Sequence, residues 1–262
     1  MILRAIDITK YYDGFCALNG LSIEIREGEF VSIIGPNGAG KTTLINVITG
    51  LLKPDSGKVL FKDKDIAGIG PEKVSKLGIA RSFQLIHVFP ELSVIETIIA
   101  AILSKRGKSM SLFGNLAKDK PVNEEAIEVA ELFGLKDDLN QKSKNLPKGS
   151  KKLLDVASAF ALRPEVILLD EPTSGVSTKD KNKIIQVMVE AAKKIGIKTI
   201  IQVEHDMDIV FSYSDRVIVI QQGKILADGI PAEVQKNENV ICTVVGQKEC
   251  FKTFERIMGK GF

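Results

Sequence analysis

The 262-residue chain is predicted to adopt an α/β fold with a largely parallel sheet. Two observations carry that prediction. Short apolar runs at Phe30–Ile34, Glu165–Leu169, Lys198–Val203 and Arg216–Gln221 alternate with segments of helical character, the pattern of parallel strands joined by crossover helices. The first of these runs leads into Gly35-Pro36-Asn37-Gly38-Ala39-Gly40-Lys41-Thr42. That octapeptide matches GxxxxGK[ST] between a strand and a helix, the setting in which the motif wraps phosphate.

Taken in order, the first 34 residues read as strands, since Leu21, Ile23 and Ile25 alternate with Ser22 and Glu24, the period of a half-buried strand. Thr42–Thr49 fits a helix, and Lys58–Phe61 and Ile79–Ser82 are further strands. Val94–Leu103 and Asn123–Phe133 are rich in Ala, Leu and Glu, which favour helix. Between them, Ser104–Pro121 is rich in Lys, Gly and Ser and reads as an exposed excursion. Lys151–Leu162, Lys179–Lys194 and Met207–Tyr213 are expected to be helical. Gln222-Gly223 separates two apolar runs as a hairpin turn would, and the tail after Pro231 reads as a polar helix.

Composition narrows the function. At about 150 residues per domain the length suits one large domain, or a domain with a subdomain. A formal charge of +3, no Trp and three Tyr argue against a nucleic-acid surface. The cysteines, Cys16, Cys242 and Cys250, are odd in number and form no CxxC pair, so reduced thiols are expected. No apolar run approaches the ~20 residues of a bilayer span, and the N-terminus carries no cleavable apolar segment.

The chemistry follows from residue types. Glycines let backbone N–H groups turn inward around phosphate oxygens, and the following helix N-terminus adds partial positive charge. Lys41 is expected to reach the β- and γ-phosphates, and the Thr42 hydroxyl to ligate Mg²⁺. Val166-Ile167-Leu168-Leu169-Asp170-Glu171 is an apolar strand ending in two carboxylates. Asp170 is expected in the Mg²⁺ shell, and Glu171 to polarise the water that attacks the γ-phosphate.

In the order Gly35–Thr42, Ser82-Phe83-Gln84, Leu146–Ser150, Leu168–Pro172 and His205, the chain resembles the nucleotide-binding subunit of ATP-binding-cassette transporters. Gly78–Ile98 and Val203–Gly229 resemble, more narrowly, the ATPase subunits of branched-chain amino acid importers. The resemblance implies one ABC ATPase domain over residues 1–262. Its P-loop NTPase (RecA-like) core with a small antiparallel β lobe would take 1–86 and 163–262, and a helical subdomain 87–162. It further implies an ATP- and Mg²⁺-dependent ATPase working as a homo- or heterodimer on membrane-spanning permease subunits, cytoplasmic and peripheral on the inner face of the cell membrane. Other readings within the superfamily are a lipid or polysaccharide exporter subunit and a soluble ATPase of DNA repair or translation.

Carried over by resemblance, Tyr12 stacks on adenine, with Tyr11 as its rival, and Thr43 joins the phosphate cradle. Gln84 senses Mg²⁺ and the γ-phosphate, and His205 contacts the γ-phosphate. The family signature LSGGQ, which closes over the partner subunit's ATP, reads Leu146-Pro147-Lys148-Gly149-Ser150 here. Pro147 has neither a hydroxyl nor a backbone N–H to give, while Lys148 returns a positive charge. The Asp that the family carries after the strand carboxylates is replaced by Ser177. The chain's own cradle therefore reads as complete and its contribution to a partner's site as damaged.

Overall fold

The computed structural model describes residues 1–82, 89–107 and 119–245. Gln84, much of the Ser104–Pro121 excursion and the end of the tail lie outside the described residues. The strands are β1 (Leu3–Tyr12), β2 (Phe15–Ile25), β3 (Phe30–Ile34), β4 (Ser56–Phe61), β5 (Lys64–Asp65), β6 (Ile79–Arg81), β7 (Val166–Asp170), β8 (Thr199–Val203), β9 (Arg216–Gln221) and β10 (Lys224–Gly229). The helices are α1 (Lys41–Ile48), α2 (Pro71–Leu77), α3 (Val94–Lys105), α4 (Lys120–Leu132), α5 (Lys148–Phe160), α6 (Thr178–Ile195), α7 (Met207–Tyr213), α8 (Pro231–Val234) and α9 (Glu238–Val245). They fall into two compact units, Met1–Pro71 with Ile201–Phe262, and Glu72–Ile200.

In the first unit β1 and β2 form a hairpin through Asp13-Gly14, and β4 pairs with the other edge of β1, giving the antiparallel order β2-β1-β4-β5. Asp13 and Gly14 both have positive φ, as do Lys62-Asp63 between β4 and β5 and Gln222-Gly223 between β9 and β10. Such turns match the right-handed twist of the strands they join, so the expected hairpin at Gln222-Gly223 is present. β3 is buried along its whole length. It runs parallel to β9, with Val31 opposite Arg216 and Ile34 opposite Val219. A continuous apolar strand is what burial on both faces requires.

In the second unit β6 and β7 are parallel, Ile79 opposite Val166 and Arg81 opposite Leu168. β7 extends one residue beyond the predicted run, so that Asp170 is its last residue. Helices α3, α4 and α5 pack together. Phe133 and Phe160 meet edge to face with centroids 5.0 Å apart, a contact worth about 0.5–1.5 kcal/mol beyond the area it buries. α3 opens with a capping box, in which the Ser93 hydroxyl accepts from Glu96 N–H and the Glu96 carboxylate accepts from Ser93 N–H, two orphan donors satisfied at once. α5 starts at Lys148, three residues before the predicted start, and α2 was not predicted.

Among the described residues no helix is long and apolar enough to cross a membrane. Cys16 is free. Cys242 is disulfide-bonded, contrary to the reduced thiols expected.

Candidate functional site

β3 delivers the chain into the glycine loop. Gly35, Gly38 and Gly40 have φ of 151°, 77° and 104°, values that side chains rarely adopt. Space is equally restrictive. A Cβ at Gly35 would run into the Ile220 carbonyl oxygen, and one at Gly40 would come within 2.5 Å of the Ala17 carbonyl oxygen. The loop is pinned from outside by Gly223 N–H donating to Ala39 O at 2.9 Å. Gly40 caps α1 with no side-chain acceptor, and no acidic residue stands in the first turn, which leaves that N-terminus suited to an anion. Lys41 is 6% exposed, and its ammonium donates to Gly35 O at 2.7 Å and Pro36 O at 3.0 Å. The cation is thus held over the loop. Asn37, Gly38 and Thr42 are exposed, Pro36 and Thr43 half-buried and Ala39 buried.

Tyr12 ends β1 at the tip of the hairpin whose second strand, at Ala17, touches the loop. Tyr11, Tyr12 and Phe15 are all exposed there. The Tyr11 hydroxyl is engaged by a hydrogen bond with Cys16, which pushes its pKa up. His205 follows β8 and is exposed, while the adjoining Glu204 is buried and its carboxylate accepts the His205 N–H at 2.9 Å. Asp206 then caps α7.

In the second unit Asp170 is half-buried at the end of β7, and its carboxylate accepts from Arg81 Nη2 at 2.6 Å. Arg81 lies in the strand predicted over Ile79–Ser82, where nothing in the sequence gives it a role. Glu171 follows with φ 47°, a left-handed backbone that costs a residue with a side chain about 1–2 kcal/mol. Ser177, where the family has Asp, caps α6 by accepting from Asp180 N–H.

The signature segment forms the start of α5. Leu146 is buried and Pro147 occupies the N-cap with φ −54° and no side-chain acceptor. Lys148, Gly149 and Ser150 make up the first helical turn. A Cβ at Gly149 would meet nothing within 4 Å. Lys148 does not project freely. A Cβ at Gly175 would fall 2.6 Å from Lys148 Cε, so the lysine lies along the loop that follows Glu171 in its own chain.

The donors present suit a magnesium nucleotide. The cradle supplies inward-facing backbone and a lysine for phosphate. Thr42, in the first unit, and Asp170, in the second, each carry an oxygen of the hard kind that Mg²⁺ takes.

The family profile for "ABC transporter" matches residues 18–174. The high-affinity branched-chain amino acid transport ATP-binding protein LivG of Salmonella typhimurium is 35% identical over 253 residues, covering 94% of this chain and 98% of that protein. An ATP-binding cassette of an ABC transporter, solved in its ADP conformation, superposes with a TM-score of 0.82 at 35% identity, covering 94% of this chain and 98% of that one. A dimeric cassette in a post-hydrolysis state, bound to ADP and Pi, gives 0.75 at 26% identity, covering 87% and 98%.

Proposed function

The chain belongs to the ABC transporter family as one of its ATPase cassettes, and we propose that it powers import of branched-chain or other hydrophobic amino acids. The similarity to LivG over nearly the full length of both chains supports that direction and cargo. In this reading a second ABC ATPase subunit completes the motor, permease subunits carry the solute, and the chain works at the inner face of the membrane. The dimeric relative supports the pairing. One ABC ATPase domain over 1–262, with 87–162 as its helical subdomain, belongs to the same reading.

The observation that carries the proposal is the glycine loop with Lys41 held above it. On ATP binding, Lys41 exchanges two carbonyl acceptors for phosphate oxygens, and the α1 N-terminus faces the same charge. Tyr12 offers its ring to the adenine. Thr42 and Asp170 would hold Mg²⁺, which neutralises charge on the β- and γ-phosphates when bound. Glu171 orients and polarises the attacking water, and His205 contacts the γ-phosphate. Gln84 retains its proposed sensing role. Catalysis is positioning and charge stabilisation. The segment Leu146–Ser150 acts on the partner's ATP with its backbone N–H groups but without the usual serine. The chain then suits one half of an asymmetric pair.

Lys41→Ala should abolish tight ATP binding, measured by titration in Mg²⁺ buffer, while the protein stays folded by circular dichroism. Unchanged affinity would remove the loop from its role.

A further inference from the structure

β6 is three residues long, yet its C-terminal end holds Asp170 in two ways. Arg81 lies opposite Leu168 in the parallel ladder, and Ser82 N–H extends the pairing by donating to Leu168 O at 2.9 Å. From there Arg81 Nη2 reaches Asp170 Oδ2 at 2.6 Å, and Ser82 Oγ accepts the Asp170 N–H at 3.4 Å. The Arg81 side chain is 13% exposed and the Asp170 side chain 27%. A charge-assisted hydrogen bond this short, between groups this shielded, fixes the orientation of the carboxylate. It also sets a permanent positive charge beside the Asp170 carboxylate.

We propose that Arg81 is the positioning residue and built-in counter-ion of Asp170. It ties down Oδ2 and leaves Oδ1 as the oxygen that would meet the ion. Its charge offsets that of Asp170, so a free divalent cation gains little there. The same ion accompanied by the negative charge of ATP is accepted. The chain thereby selects the magnesium nucleotide over magnesium alone. This rests on the reading of Asp170 as a Mg²⁺ ligand, and it is separable from the loop's role in binding ATP.

The test is thermal unfolding of the full chain without nucleotide, with and without Mg²⁺ at matched ionic strength. Wild type should be insensitive to Mg²⁺. Arg81→Gln should melt lower by roughly 5 °C or more and recover part of that loss on adding Mg²⁺, whereas Arg81→Lys should stay nearer wild type. Half-saturation of ATP binding by Mg²⁺ should fall to a lower concentration in Arg81→Gln. A purely structural arginine would lower the melting temperature and leave both Mg²⁺ responses unchanged, and that result would overturn the proposal. If Arg81→Gln does not fold in plain buffer, the Mg²⁺ titrations are run on it in a stabilising osmolyte. A lowered Mg²⁺ half-saturation there supports the proposal, and a wild-type value overturns it. Loss of ATP binding in Lys41→Ala together with an unresponsive Arg81→Gln would reject Arg81's role and keep the ATPase reading.

Discussion

Glu171 combines the proposed water-polarising carboxylate with a left-handed backbone at φ 47°. An L-residue there is disfavoured by its own Cβ, so the backbone just past the strand end stores strain at the proposed water-polarising carboxylate. Glu171→Gly and Glu171→Ala both delete the carboxylate and should both lose hydrolysis. Their difference isolates the backbone. Glycine should be the more stable by about 1 kcal/mol, or about 2–4 °C in Tm for a chain of this size. Equal melting temperatures in differential scanning calorimetry would refute the strain. At this scale the cradle was legible because the motif writes its left-handed positions as Gly35, Gly38 and Gly40. Glu171 hides the same conformation behind a functional side chain. Arg81 was not legible as the partner of Asp170, because 89 residues separate the two.

The start of α5 shows how one substitution acts on two quantities. Pro147 at the N-cap provides no side-chain acceptor for the first-turn N–H groups, and a serine cap is typically worth ~1 kcal/mol. Replacing proline, however, frees the unfolded chain by about 0.4–1 kcal/mol. The two terms nearly cancel, so Pro147→Ser should leave stability within about 1 kcal/mol of wild type. Turnover should respond more. A hydroxyl hydrogen bond to a charged phosphate is worth about 1.5–3 kcal/mol, or roughly ten- to a hundredfold if realised in the transition state. Steady-state ATPase at dimer-forming concentration, alongside urea unfolding, separates the two effects. A brisk wild-type rate that Pro147→Ser does not change would mean that the helix N-terminus suffices without the serine. The start of α5 was misplaced at Lys151 because Lys148-Gly149-Ser150 has loop composition. α2 was missed although Pro71 opens it and Gly78 follows its last residue, the asymmetry that marks helix ends. At seven residues it has too few apolar positions to show a period.

For the whole molecule, the α/β class was legible because β3, β7, β8 and β9 are written mostly in apolar residues. The assembly of charge pairs between distant segments was not. Glu91 accepts hydrogen bonds from Lys142 at 2.8 Å and Lys144 at 2.6 Å, beside Ser143 N–H donating to Leu92 O. The two lysines, Lys142 first, hold the Glu91 pKa down at about 2 against an ordinary 4.5. Because the folded value is the lower, this pair contributes fully above pH 4.5. As the pH falls below that, the unfolded chain takes up its proton first, and the contribution is lost on the way to about pH 2. Glu91→Gln should therefore flatten the fall in urea midpoint between pH 4.5 and 2. It should do so less at high salt, since the groups are exposed. An unchanged acid limb would show that the pair carries no stability.

The chain's path between its two units has a consequence for how it is made. Glu72–Ile200 is one uninterrupted stretch, whereas Met1–Pro71 needs Ile201 onward to be complete. The strand that feeds the glycine loop illustrates the wait: Phe30 N–H donates to an Asp215 oxygen 185 residues later, and β9, the parallel neighbour of β3, begins only at Arg216. At 5–20 residues per second, a ribosome needs roughly ten to forty seconds to span that gap. Glu72–Ile200 is therefore complete in sequence before β3 can meet β9. During translation, β3 and the glycine loop behind it are thus made long before the strand that β3 pairs with.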